Sequence, residues 1–72
     1  MLIVKVDELK MRELRNTVKP KSVINGGLIK VKGARSIHDK KKFFSCFDYD
    51  PEIQTKVRSH VRNREPIEIV IK

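Results

Sequence analysis

Cations are the residues with the most chemical potential in this chain. The run Lys40-Lys41-Lys42 is the densest group, and Arg35 and His38 stand just before it. Cations clustered in this way grip phosphate oxygens in a salt-sensitive manner that ignores sequence. Arg58 and Arg62 are four residues apart, the spacing of one helical turn, and could make a second phosphate contact. The plainer reading of both groups is a solvated loop and an ordinary exposed helix face.

Nucleophilic and metal chemistry have thinner support. Cys46 with His38 or His60 makes a thiol and a base on paper, but Cys46 falls in an aromatic stretch that suggests no cleft. His38 and His60 with Asp39 or Cys46 match no recognised zinc spacing. A single cysteine also excludes an internal disulfide. Gly26-Gly27 lacks the Lys-Ser or Lys-Thr that completes a phosphate-binding loop. The expectation is a protein that is not an enzyme and takes neither cofactor nor metal.

The elements that must position these residues follow from hydrophobic spacing. Leu2 to Val6 alternates as a strand, with Leu2, Val4 and Val6 on one face and Ile3 and Lys5 on the other. Asp7 then suits a helix N-cap, and Val6 and Met11 are spaced as a hydrophobic staple around it. Leu9, Met11, Leu14 and Val18 supply the stripe of that helix, which Pro20 stops near Val18. Asn25-Gly26-Gly27 is a turn signal, and Leu28 to Lys32 alternates after it. Lys41 to Tyr49 reads as a further strand holding every aromatic residue, with Phe43, Ser45, Phe47 and Tyr49 buried and Phe44 and Cys46 outward. Asp50-Pro51-Glu52 opens a second helix, whose buried stripe is Ile53, Val57 and Val61. After Pro66, Ile67, Ile69 and Ile71 alternate in a closing strand.

The order β-α-β-β-α-β predicts one small α+β domain of the ferredoxin-like split βαβ type. It would have an antiparallel sheet and two helices on one face. An alternative makes Ser22 to Ile24 a strand paired with Leu28 to Lys32 across the Asn-Gly turn, which is also α+β.

Two helices on one face leave the other face of the sheet open. Alternation puts Ile3, Lys5, Lys30, Lys32, Val70 and Lys72 there, with Phe44 and Cys46 beside them. A basic and apolar face of this kind can stack bases while lysines hold phosphates. Lys42 to Tyr49 resembles the third-strand signature of the RNA-recognition motif at the opening basic residue, at Phe44 and at Tyr49. It departs from that signature at Phe43, where glycine is expected, and at Cys46, where a second aromatic is expected. The resemblance implies that Phe44 stacks on a base.

Composition sets the outer limits. The 72 residues carry 17 Lys plus Arg against 9 Asp plus Glu, a net charge of +8 that attracts phosphate backbones or acidic proteins. At 39% hydrophobic and 36% charged, the chain has enough apolar content to fold into a small core. No apolar run approaches a membrane span, and Met1-Leu2-Ile3-Val4 meets Lys5 and Asp7 too soon for a signal peptide. The expectation is a cytoplasmic, intracellular, non-catalytic regulator or accessory factor. Its partner would be RNA or DNA, or a protein of the transcription or translation machinery such as RNA polymerase. Neither a membrane nor a small-molecule substrate is implied. Its contacts would be Lys5, Lys30, Lys32, Arg35, Lys40, Lys41, Lys42, Phe44, Arg58 and Arg62. The alternative is a protein–protein inhibitor that docks on an acidic surface through Ile3, Phe44 and Val70.

Overall fold

A computed structural model describes residues 1–24 and 27–72. The chain runs β1 (Leu2–Val6), α1 (Glu8–Arg15), β2 (Val23–Ile24), β3 (Leu28–Val31), α2 (Lys40–Ser45), α3 (Pro51–Arg62) and β4 (Ile67–Ile71). Short 3₁₀ turns at Pro20–Ser22 and Ala34–Ser36 complete it. The four strands form one sheet in the order β1-β4-β3-β2. Closing strand β4 lies between β1, to which it is parallel, and β3, to which it is antiparallel. The sheet is therefore mixed, and not antiparallel throughout as the split βαβ reading requires. The α+β class stands.

Three helix starts are set by aspartates. Asp7 accepts from the Lys10 N–H at 2.7 Å, Asp39 from that of Lys42 at 3.1 Å, and Asp50 from that of Glu52 at 3.0 Å. Each carboxylate satisfies an amide that the first helical turn leaves without a partner.

The cap at Asp39 changes the architecture. Lys41 to Tyr49 is not a strand: its first half is α2, and its second half winds through turns into Asp50. Phe43, Cys46 and Phe47 are buried together, the i, i+3, i+4 pattern of a helix, while Ser45 and Tyr49 are exposed. The Phe43 and Phe47 rings meet edge-on at 5.4 Å. Gln54 of α3 locks the end of this segment, donating to the Phe44 carbonyl at 2.8 Å and to the Asp48 carboxylate. With the strand gone, the resemblance to the RNA-recognition motif loses its basis.

The missing strand is supplied by Val23–Ile24, which pairs with β3 as the alternative reading has it. The Asn25-Gly26 part of the expected turn lies outside the described residues. Helix α1 stops at Arg15, short of Val18, because Thr17 turns back onto the helix end. Its hydroxyl donates to the Leu14 carbonyl at 2.7 Å. The Thr17 carbonyl then accepts from the His38 and Asp39 amides, joining the chain after α1 to the start of α2.

One core results. Val4, Val6, Ile29, Val31, Ile67 and Ile69 on one sheet face pack with Met11, Leu14, Phe43, Phe47, Val57 and Val61 from the three helices. Val6 and Met11 are both buried there, as the staple predicts, and Val57 and Val61 form the expected stripe of α3 with half-buried Ile53. Leu9, expected in the stripe of α1, is 71% exposed.

Candidate nucleic-acid interface

Six cations converge where the loop leaving β3 meets α2 and the C-terminal end of α3. Lys32, Arg35, Lys40, Arg58, Arg62 and Arg64 line a groove of about 640 Å³, together with Gly33, Ala34, Phe44 and Val61. Among the described residues, no acidic side chain contributes to its wall. Among the described residues, the ion pairs lie elsewhere, at Lys10–Glu13, Arg12–Glu8, Lys30–Glu68, Lys56–Glu52 and His60–Glu65. Among the described residues, none of the six groove cations has a carboxylate within salt-bridge distance. These six are about a third of the 17 Lys and Arg residues of the chain. Like charges gathered without counter-charges repel one another, and an anion between them removes that cost.

Three separate elements bring them together. Lys32 follows β3, and its N–H donates to the Ser36 hydroxyl at 3.1 Å, which closes the loop carrying Arg35. Lys40 is the first residue of α2. Arg58 and Arg62 lie one turn apart on α3, with Val61 between them in the core. Phe44 is half-buried, and the Arg58 guanidinium sits 5.4 Å from its ring centre. That cation–π contact holds Arg58 in place and covers the ring. Phe44 therefore acts here as a seat for an arginine.

Of the ten residues expected from sequence, Lys32, Arg35, Lys40, Phe44, Arg58 and Arg62 meet in this groove. Lys41 and Lys42 are exposed on the first turn of α2 but do not line it. Lys5 and Lys30 are on the outer sheet face, as alternation predicts. In that face the register places Ile3 beside Glu68 and Glu68 beside Lys30, while Lys5 adjoins Val70 and Val70 adjoins Leu28. Glu68 adds a negative charge to this face. It stands 3.8 Å from Lys30, so the face is less basic than expected. Phe44 and Cys46 belong to the helical side and not to this face, since the strand that was to carry them there is α2 and its following turn.

Arg64 is the groove cation that sequence reasoning missed. It follows the last turn of α3 at a position where glycine or asparagine commonly ends a helix. A basic residue there was the available signal.

A second hollow of about 440 Å³ is lined by His38, Cys46, Asp39, Lys42, Lys10 and Glu13 among others. Burial raises the Cys46 thiol above its ordinary value. Lys10 opposes the shift, and Glu13 and Asp48 add to it. An activated nucleophile needs the opposite direction. His60 is engaged at both ring nitrogens, 2.9 Å from the Lys56 carbonyl and 3.2 Å from Glu65. No three His, Cys, Asp or Glu side chains come together to hold a metal among the described residues, and no helix there is long and apolar enough to cross a membrane. Comparisons with family models, with curated proteins and with solved structures give no match.

Proposed function

We propose that this protein is a non-catalytic nucleic-acid-binding factor that holds a phosphate backbone in the six-cation groove. The observation that carries the reading is the convergence of Lys32, Arg35, Lys40, Arg58, Arg62 and Arg64 with no carboxylate in the wall. Phosphate oxygens accept from guanidinium groups in bidentate fashion, and four of the six cations are arginines. Because Arg58 covers Phe44, the grip is on the backbone and not on a stacked base. Recognition of this kind is tolerant of sequence and suits an accessory factor working on RNA or DNA within a transcription or translation complex.

Fluorescence anisotropy with labelled single-stranded RNA and duplex DNA, at roughly 50 and 200 mM salt, tests this. If all six cations engage phosphates, the logarithmic salt slope is about −4 for the single strand and about −5 for the duplex. Reversing charge with Arg58→Glu and Arg62→Glu abolishes binding. Weak binding that is indifferent to both changes contradicts the proposal.

The outer sheet face supports a second reading. Ile3 is 54% exposed and borders a row containing Val70 and Leu28. A protein partner with a carboxylate for Lys5 would dock there, and Ile3→Ala with Val70→Ala would then weaken its binding while Arg62→Glu would not.

A further inference from the structure

Arg64 stands in a backbone conformation that arginine disfavours. Helix α3 ends at Arg62 with Asn63 as its C-cap, and Arg64 follows with φ 59°. The Arg64 N–H donates to the Val61 carbonyl at 3.3 Å, and the Glu65 N–H to the His60 carbonyl at 2.8 Å. This is the pair of bonds that closes a helix when the next residue turns left-handed, a position glycine usually fills. A side chain there meets its own backbone, and glycine avoids the strain. Among the described residues, Arg64 is the non-glycine residue with positive φ.

Nothing in the local fold calls for an arginine. Both backbone bonds would form equally well with glycine, and Arg64 has no carboxylate within salt-bridge distance among the described residues. What the side chain does reach is the groove. Its Cα and Cγ lie against Gly33, where a side chain would begin 3.6 Å from each, and both residues form part of the groove wall. A residue that breaks a local rule without return to the fold marks a place where function sets the choice.

The geometry points to Arg64 as an affinity-determining contact of the phosphate site, retained there against the stability of the helix end. This rests on the reading of the groove as a nucleic-acid site. Replacing Arg64 by glycine should therefore strengthen the fold and weaken binding in one step.

The test compares Arg64→Gly, Arg64→Ala and Arg64→Lys in the full chain. Alanine removes the charge but keeps the left-handed strain, so the glycine–alanine difference isolates the backbone. The expected result is a melting temperature about 4 °C higher for Arg64→Gly than for Arg64→Ala. Both should bind a labelled single-stranded RNA about ten-fold more weakly than the native chain, with a salt slope lower by about one. Arg64→Lys should keep the native slope. The inference is overturned if Arg64→Gly binds as the native chain does, or melts no higher than Arg64→Ala. If Arg58→Ala and Arg62→Ala weaken binding while Arg64→Gly does not, this inference alone fails. If the native chain binds no RNA, the reading of the groove fails with it.

Discussion

Gly33 and Arg64 stand side by side with both backbones at positive φ, 95° and 59°, where the loop after β3 passes the end of α3. Gly33 is extended in ψ at −173°, a combination that residues with a side chain scarcely enter. The contact itself is ordinary: a Cβ on Gly33 would meet Arg64 atoms at 3.6 Å, without a clash. Backbone conformation therefore sets the cost of substitution. Gly33→Ala should destabilise by about 1–3 kcal/mol in urea unfolding. An unchanged midpoint would mean that the loop accepts another conformation at no cost.

Lys40, Lys41 and Lys42 occupy the first turn of α2, where the helix dipole favours acids and none is present. Lys40 also lines the groove. Lys40→Glu should raise stability by about 0.3–1 kcal/mol through the dipole, and further by relieving repulsion among the groove cations. The same change should weaken RNA binding by at least about ten-fold. A variant that is less stable, or that binds as before, would contradict the placement of Lys40.

The aromatic segment gives a separate test of the fold. Phe43 and Phe47 are fully buried, whereas Tyr49 is 55% exposed. Phe43→Ala or Phe47→Ala should cost about 3–5 kcal/mol, a large part of the stability of so small a domain. Tyr49→Ala should cost under about 1 kcal/mol, losing mainly its contact with the Lys10 ammonium 5.8 Å from the ring centre. In a strand, Phe43, Phe47 and Tyr49 would share one face and their substitutions would cost alike.

The fold class, the first and last strands, and the helix at Asp50-Pro51-Glu52 were legible because capping and periodicity agree there. Lys41 to Tyr49 was not, because two signals conflict within it. Four aromatic residues in seven positions favour a strand, while Asp39 as a cap and Phe43 with Phe47 at i, i+4 favour a helix. Tertiary packing decides for the helix, since Phe43 and Phe47 both reach the core. The groove was half legible. The types and local spacing of its cations could be read, but not their meeting, which depends on the end of α3 folding back against residues 32–40, some twenty residues earlier. Arg64 was hidden because a surface arginine before Glu65-Pro66 looks like any solvated helix end.

Cys46 predicts a pH dependence. Burial raises its thiol above the ordinary value of 9.0, so the folded chain retains a proton that the unfolded chain gives up. The stability this contributes is fully present below about pH 9 and is lost as pH rises through the higher folded value. Tyr49 acts with the same sign above 10.0, burial again raising it first, with Asp50 and Asp7 adding and Lys10 opposing. Urea midpoints should be insensitive to the thiol at neutral pH and fall in alkali, and Cys46→Ala should lessen the fall. A midpoint that climbs above pH 9 would mean that the folded chain gives up the thiol proton before the unfolded chain does.

Nucleic acid should sit in the cationic groove and not on the open sheet face. Amide chemical-shift mapping by NMR, with a short single-stranded RNA titrated into the labelled protein, addresses it residue by residue. The predicted result is that the largest shifts fall on Lys32 to Arg35, Lys40, Phe44 and Arg58 to Arg64. Shifts centred on Ile3, Lys5, Leu28, Lys30 and Val70, with the groove unmoved, would contradict the account.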